Sequence, residues 1–443
     1  MDTSKLRTLI LFTYGACNLN CRYCTIDKNP ALKDVDDYLK LSFARDDYYD
    51  RILEYFPANQ LERIEAWGGE PSLGLDRLYP LLEKIIKHYP NFDTFFFSTN
   101  FAYEGWVEKV IDFTKFFNRF PLRRFTIEIQ LSCDGPEYIN DATRGLNTTK
   151  NCLKNYHKLL NIFKNTDTLP NNVYIRFYPK QTLDLETIGL LQNEEAVYEY
   201  YKFFEDNFYE PAMNIKNVTF FNGVPNTAVP SPVTKEDGEK FANFCKICSD
   251  INKNKKMKYY ENVIPFKKRE QVCPLSNTYK GGSYGCGTAE ENISLLPDNL
   301  FCICHLGFME IIEKYKEYRL KLDQDKDKVI NFNSFLNETK FKKCLSKEEY
   351  DKFSEAMRYG THSDTFNRIA NMQSIIQLLG EANQIDDKYA DPEQALLAAH
   401  QMTDLTAYCI NDSLITSNTI TLTQNGVYKQ LLNGAVDIII EGE

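Results

Sequence analysis

The strongest chemical signal in this chain is a group of three cysteines near its amino terminus. Cys17, Cys21 and Cys24 lie within eight residues, directly after the apolar run 9–12. Thiolates on one loop at the end of a strand are suitable ligands for an iron–sulfur cluster. A 4Fe-4S cluster normally takes four cysteines, so this C-x3-C-x2-C spacing would leave one iron open to a small-molecule ligand. The alternatives are a structural zinc site and three unrelated core thiols.

A glycine-rich turn follows the second predicted strand. Gly68 and Gly69 allow the backbone to approach a ligand closely, because neither carries a Cβ atom. Glu70 supplies an acceptor, and Pro71 removes a backbone donor and fixes the turn. The alternative is a turn without any ligand.

Polar side chains also follow the next two predicted strands. Ser98 and Asn100 offer a hydroxyl and an amide that could bond polar atoms of a ligand, although such residues also cap helices. Ser132 and Asp134 follow the fourth strand. In parallel β/α folds ligands gather at the carboxyl ends of the strands, so all these groups are expected on one side of the sheet.

The elements that must position these residues alternate in type. Short β-rich runs are predicted at 8–13, 63–67, 94–98, 125–131, 173–177 and 218–221. Amphipathic helices are predicted between them at 48–56, 78–88, 105–117, 148–163 and 195–208. Six repeated β/α units predict an α/β fold with a parallel, partly closed (β/α)6 barrel.

The cysteine spacing and the Gly-Gly-Glu-Pro turn closely resemble the radical S-adenosylmethionine (radical SAM) family. In that family the methionine moiety of SAM chelates the fourth iron, and electron transfer cleaves the sulfonium to give a 5'-deoxyadenosyl radical. The resemblance implies a partial TIM-like barrel in which the backbone of residues 68–71 binds the methionine amino group. It also implies that Ser98 and Asn100 contact the ribose or the methionine.

The segment from Ser132 to Arg144 resembles a motif of the peptide- and protein-modifying branch of this family, Ser-x-Asp-Gly-Pro followed by His-Asp-x-x-Arg. Asn140 stands here in place of the usual His. The resemblance assigns Arg144 to the SAM carboxylate, which a guanidinium fork can grip bidentately. Ser132 and Asp134 would shape the ribose side. An ion pair of Arg144 with Asp141 or Glu137 is the alternative.

A second group of cysteines lies downstream. The spacing from Cys286 through Asn299 to Cys304 resembles the SPASM and twitch extensions of the family, which hold auxiliary clusters. This resemblance predicts one auxiliary 4Fe-4S cluster in a shortened, twitch-like domain. Its expected ligands are Cys273, Cys286, Cys304 and Cys344. The spacing leaves open a choice between Cys302 and Cys304, and Cys245 with Cys248 forms an alternative metal half-site.

These features predict three regions. They are a radical SAM barrel over 1–225, a linker and auxiliary cluster domain over 226–345, and a mostly helical extension over 346–443. Cys133, Cys152 and Cys409 are expected to be ordinary buried thiols.

Composition narrows the class of protein. The chain of 443 residues carries a net charge of -10, which argues against a nucleic-acid partner bound through phosphates. Neither a signal peptide nor a run of 18 apolar residues is found, so no membrane partner and a cytoplasmic location are expected. Thirteen cysteines are an odd number, which suits metal ligation in a reducing compartment better than disulfides.

The resemblance implies an oxidoreductase that abstracts hydrogen from a peptide, as in the maturation of ribosomally made peptides (RiPPs). Its expected partners are that peptide, with a leader or a separate recognition protein, and an electron donor such as flavodoxin or ferredoxin. His305 follows Cys304, where sulfatase maturases carry a catalytic Asp, and could act as a base. The alternatives are formylglycine formation, a small-molecule or nucleotide substrate, and a non-catalytic iron–sulfur protein.

Overall fold

The computed structural model describes residues 6–24 and 42–221 of the chain continuously. Beyond them it describes short pieces and single residues, namely 226–228, 240, 243–244, 247–248, 250–251, 292–295, 301–302, 317, 321 and 344–345.

The first half of the described chain alternates strands and helices. Its elements are β1 (Thr8–Tyr14), α1 (Asp46–Tyr55), β2 (Arg63–Gly68), a 3₁₀ helix (Pro71–Leu78), α2 (Tyr79–His88), β3 (Thr94–Thr99), α3 (Trp106–Phe116) and a 3₁₀ turn (Phe117–Arg119). β3 is formed by a run of aromatic and hydroxyl residues, the types that favour strands. α2 begins with Pro80 in its first turn, where a missing N–H costs no hydrogen bond.

The second half continues the alternation. Its elements are β4 (Phe125–Ser132), α4 (Glu137–Arg144), α5 (Thr148–Asn165), β5 (Val173–Lys180), β6 (Thr182–Asp184), α6 (Leu185–Leu190), α7 (Glu194–Phe204), a π-helical turn (Glu205–Tyr209), α8 (Glu210–Ala212), β7 (Val218–Phe220), β8 (Asn226–Ala228), β9 (Asn292–Leu295), β10 (Phe301–Cys302) and β11 (Cys344–Leu345). All six predicted barrel strands and all five predicted helices are confirmed, with small differences at their ends.

The strands form an open sheet in the order β11-β10-β9-β1-β2-β3-β4-β5-β7. The seven strands from β9 to β7 in this order pair in parallel, whereas β10 pairs antiparallel with both β9 and β11. The predicted parallel α/β architecture is therefore confirmed for the described residues. β9 was not predicted, and it extends the sheet beside β1. β6 and β8 form a separate parallel pair.

The two faces of the sheet differ in character. One face is covered by helices, as when Phe95 and Phe97 contact Phe113 of α3 and Phe177 contacts Tyr156 of α5. The opposite face carries polar, half-buried side chains at alternate positions of the strands. Parallel sheets usually read as apolar on both faces, so a polar face points to ligand binding. No helix among these residues is long and apolar enough to cross a membrane.

Candidate iron–sulfur and SAM site

The cysteine loop follows β1 and is fixed by the turn after β2. Gly69 N–H donates to the carbonyl of Tyr14 over 2.8 Å, and Glu70 N–H donates to that of Ala16 over 2.9 Å. Cys17, Cys21 and Cys24 on this loop carry thiols rather than disulfides, the first two partly buried and the third exposed. The two motifs that the sequence singles out are therefore joined through their backbones.

The glycines are required by this contact. Gly68 has a φ of +148°, and a Cβ atom there would lie 2.2 Å from the Tyr14 carbonyl oxygen. A Cβ on Gly69 would lie 2.3 Å from the Ala16 carbonyl oxygen. The expected close approach of the backbone is thus made toward the cysteine loop.

Glu70 joins the ends of two neighbouring strands. Its side chain is 1% exposed. One carboxylate oxygen accepts from Ser72 N–H over 3.2 Å and from the Ser72 hydroxyl, and the other accepts from Asn100 N–H over 2.6 Å. Burial raises the pKa of Glu70, although these hydrogen bonds oppose the shift. The carboxylate therefore holds the chain after β3, while Pro71 begins the 3₁₀ helix.

Asn100 links the end of β3 to the cysteine loop. Its amide oxygen accepts from Ala102 N–H over 3.0 Å. Its amide nitrogen donates to the Asn18 side chain over 2.8 Å and lies 3.5 Å from the Cys17 sulfur. The predicted site residue Asn100 thus contacts the predicted metal ligand Cys17 directly.

Asp134 is fully buried and accepts hydrogen bonds from several elements. One carboxylate oxygen accepts from the hydroxyls of Tyr23, over 2.6 Å, and Thr143, over 2.8 Å, and the other accepts from Thr182 N–H over 2.9 Å. Asp134 also pairs with the guanidinium of Arg144. It therefore ties the cysteine loop, α4 and β6 together.

Arg144 uses one edge of its guanidinium to pair with Asp134. Nε and Nη2 donate to the two carboxylate oxygens over 2.9 and 2.8 Å, while Nη1 lies 4.0 Å from the Cys21 sulfur. Burial opposes the charge, but Asp134, Tyr23 and Cys21 together raise the pKa of Arg144. The alternative pairing with Asp141 or Glu137 is wrong. Asp141 instead accepts from the backbone at the start of α5.

Arg22 and Tyr23 are site residues that the sequence analysis missed. Arg22 N–H donates to the Thr143 carbonyl over 2.8 Å, and its Nε donates to Asp184 over 3.0 Å. The Arg22 side chain also pairs with Glu186. The signal that could have found them was their position between Cys21 and Cys24, two of the predicted metal ligands.

Ser98 and Ser132 lie on the polar face of the sheet. Ser98 is opposite Gln130 in the register, and Ser132 is opposite Lys180. Burial lowers the pKa of Lys180 to about 8. These positions place polar groups at the carboxyl ends of β3 and β4, as predicted, and Lys180 adds an amine at the end of β5, which was not predicted.

Deeper on the same face, charged residues form a network of ion pairs. Arg63 pairs with Glu65 over 2.7 Å and with Glu128 over 2.6 Å, and Arg176 pairs with Glu128 over 3.1 Å. The two arginines and the two glutamates of this network therefore balance each other's charge.

The donor set fits a 4Fe-4S cluster. Three thiols lie on one loop that is fixed at its base, and nitrogen donors lie near two of the sulfurs. Within the described ranges, no group of three or more His, Cys, Asp and Glu is arranged to hold a metal ion. A 4Fe-4S cluster does not require its cysteines to converge on one ion, because each cysteine binds a separate iron.

The predicted auxiliary site lies mostly outside the described residues. Cys245, Cys273, Cys286, Cys304, His305 and Cys409 fall there. The backbones of Cys302 and Cys344 are opposite each other in the β10–β11 pair. Cys133 and Cys152 are fully buried, as predicted, and Cys248 is buried as well.

Comparisons with known proteins bear on the same region. A family model described as a 4Fe-4S single cluster domain matches residues 6–120. No curated protein matches the chain. The match includes Cys17, Cys21, Cys24 and the turn at 68–71. It supports the iron–sulfur cluster that the sequence predicts on the cysteine loop.

Solved structures with partial similarity were also found. Native anSMEcpe with bound AdoMet is 18% identical, over 67% of this chain and 74% of its own, with a TM-score of 0.41. A histidine-tagged anSMEcpe with bound AdoMet is 19% identical, over 70% and 76%, with a TM-score of 0.41. SuiB from Streptococcus suis is 14% identical, over 69% and 61%, with a TM-score of 0.37.

Proposed function

We propose that this chain is a radical SAM enzyme that oxidatively modifies a peptide. The observation that carries the proposal is the meeting of four predicted groups at one end of the sheet, namely the cysteine loop, the Gly-Gly-Glu-Pro turn, Asn100 and the Asp134–Arg144 pair. Independent motifs converge in this way at a shared ligand site.

The proposed cofactors are a 4Fe-4S cluster on Cys17, Cys21 and Cys24, and SAM beside it. When bound, they would supply a 5'-deoxyadenosyl radical, formed with methionine by one-electron cleavage of the sulfonium, that takes a hydrogen atom from a substrate C–H bond. Arg144 would hold the carboxylate of the methionine moiety, since its guanidinium lies beside Cys21. Asp134 would keep that guanidinium charged and oriented.

The remaining parts of the proposal concern the second oxidation step. A two-electron oxidation of the peptide needs an acceptor for a second electron and for a proton. We assign the electron to an auxiliary 4Fe-4S cluster on Cys273, Cys286, Cys304 and Cys344, and the proton to His305. A flavodoxin or ferredoxin in the same compartment would supply the first electron.

The test is an anaerobic assay of the reconstituted full chain. Iron per chain is counted, and 5'-deoxyadenosine is followed by mass spectrometry with dithionite, SAM and a peptide encoded beside the gene. We expect two clusters, release of the nucleoside, and a peptide mass lower by two hydrogens. Cys21→Ala should abolish nucleoside release, whereas the matched variant Cys152→Ala should retain it, because Cys152 is a buried thiol of α5 that donates to the Asn100 carbonyl and is not part of the cysteine loop.

The outcomes separate the alternatives. Nucleoside release with an unchanged peptide would refute the peptide substrate and favour a small molecule or nucleotide. Conversion of a cysteine or serine to formylglycine would favour a sulfatase maturase-like reaction. Cluster binding without any cleavage of SAM would refute the enzyme and leave an iron–sulfur binding protein.

A further inference from the structure

The sulfurs of Cys17 and Cys21 each have a side-chain nitrogen donor beside them, and the Cys17 sulfur also accepts from Leu19 N–H over 3.5 Å. The amide nitrogen of Asn100 is 3.5 Å from the Cys17 sulfur, and Nη1 of Arg144 is 4.0 Å from the Cys21 sulfur. These donors come from different parts of the sheet, after β3 and at the end of α4. Each approaches a different cysteine.

The orientation of the Asn100 amide is fixed by its other contacts. Its oxygen accepts from Ala102 N–H, so the nitrogen must face the cysteine loop. Its backbone N–H is held by the buried carboxylate of Glu70. A rotated amide would place an oxygen beside a thiolate and lose the bond to Ala102, and both changes are unfavourable.

The orientation of Arg144 is fixed in an equivalent way. Asp134 occupies the Nε–Nη2 edge, which leaves Nη1 directed toward Cys21. Asp134 is itself held by Tyr23, Thr143 and Thr182. In the first case a buried carboxylate holds the backbone of the donor residue, and in the second it holds the donor side chain itself; each side chain presents an N–H group to a sulfur.

We propose that Asn100 and Arg144 are positioning residues that raise the reduction potential of the cluster by donating to the sulfurs of Cys17 and Cys21. This inference rests on the proposed cluster. One-electron reduction adds negative charge that spreads onto the ligand sulfurs, and N–H donors stabilise that charge. Hydrogen bonds to sulfur are among the factors that set iron–sulfur potentials. Glu70 and Asp134 act through the residues that they orient.

The experiment is a redox titration of the full reconstituted chain without SAM, with dithionite as the one-electron donor and the reduced cluster followed by electron paramagnetic resonance. The signal of the loop cluster is identified as the one that changes when SAM is added afterwards, because only this cluster has an open iron. The variants are Asn100→Leu, which removes the donor, and Asn100→Asp, which keeps the shape and replaces the donor by an oxygen.

Both variants should lower the reduction potential of the loop cluster, and Asn100→Asp should lower it more than Asn100→Leu. At a given solution potential, the ratio of reduced to oxidised cluster should be at least tenfold lower in Asn100→Asp than in the unmodified chain. For a one-electron couple this corresponds to a fall in reduction potential of about 59 mV. The matched control is Asn155→Leu. Asn155 donates to the carbonyls of Phe101 and Tyr103 and therefore supports the same loop without approaching a sulfur. The reduction potential of the loop cluster in Asn155→Leu should equal that in the unmodified chain.

Three results would overturn the inference in distinguishable ways. If both Asn100 variants bind a full cluster at an unchanged potential, the tuning role is refuted and the proposed function stands. If the unmodified chain binds no cluster through Cys17, Cys21 and Cys24, the proposed function fails and the inference fails with it. An equal shift in Asn155→Leu would show that loop packing sets the potential, which also refutes the role of the donor.

Discussion

Removal of the Asp134 carboxylate should strongly destabilise the sheet domain. Asp134 is fully buried, and its side chain accepts from Tyr23, Thr143, Thr182 and both nitrogens of one edge of Arg144. Asp134→Ala leaves the guanidinium buried without a counter-charge. Breaking a buried ion pair on one side costs about 3 to 5 kcal/mol, a large share of the roughly 5 to 15 kcal/mol by which domains are stable.

The assay is urea denaturation of the chain without cofactors, followed by tryptophan fluorescence. The chain has two tryptophans, and both lie in the described sheet domain, Trp67 in β2 and Trp106 in α3. The fluorescence therefore reports on the domain that contains Asp134.

The matched control is Glu186→Ala. Glu186 also pairs with an arginine of this region, Arg22, but its side chain is 75% exposed. An exposed pair contributes about 0 to 1 kcal/mol, so this variant should unfold close to the unmodified chain. The double variant Asp134→Ala/Arg144→Met should recover part of the loss, because no charge remains buried. Equal unfolding free energies for Asp134→Ala and Glu186→Ala would refute the argument.

Three further predictions concern the loop and the polar face. Gly69→Ala should reduce the iron retained after reconstitution to the level of Cys21→Ala, because its Cβ would lie 2.3 Å from the Ala16 carbonyl oxygen; unchanged iron would contradict this. Arg22→Gln should speed hydrogen exchange of the cysteine loop, since it releases the contact with Asp184, and an unchanged exchange rate would contradict this. Burial lowers the pKa of Lys180 from 10.5 to about 8, so the unfolded chain binds more protons between these values and stability should rise with pH in that window. The denaturation midpoint of Lys180→Met should not rise with pH in this window. If Lys180→Met and the unmodified chain showed the same pH dependence, the burial of the amine would be refuted.

The core strands could be predicted because their signals are local. β-branched and aromatic runs such as Thr94–Thr99 form strands wherever they are covered by helices, and the turn residues between them mark their ends. β9 to β11 could not be found in this way. Asn292–Leu295 is four residues long, and its pairing with β1 joins distant parts of the chain. Such pairing is decided by tertiary contacts rather than by propensity.

The sequence predicted which residues form the candidate site, but it predicted only part of the contacts between them. The motifs identified Glu70, Asn100, Asp134 and Arg144, but spacing alone does not reveal whether a carboxylate faces a ligand or the protein. Every carboxylate oxygen of Glu70 and Asp134 accepts at least one hydrogen bond from the protein. Tyr23 was missed because its partner Asp134 lies in a different motif, and the contact depends on how the loop folds back over α4.

The contacts of Arg144 also constrain how a carboxylate ligand can approach it. Asp134 holds the Nε–Nη2 edge, and replacing a buried carboxylate that has several donors would cost more than a single ligand contact supplies. A ligand must therefore meet the guanidinium from the Nη1 side. That is the side on which Cys21 lies. Under the proposed function, the ion pair would direct the SAM carboxylate toward the cysteine loop, and the contact that stabilises the fold would also determine where the charged end of that ligand is placed.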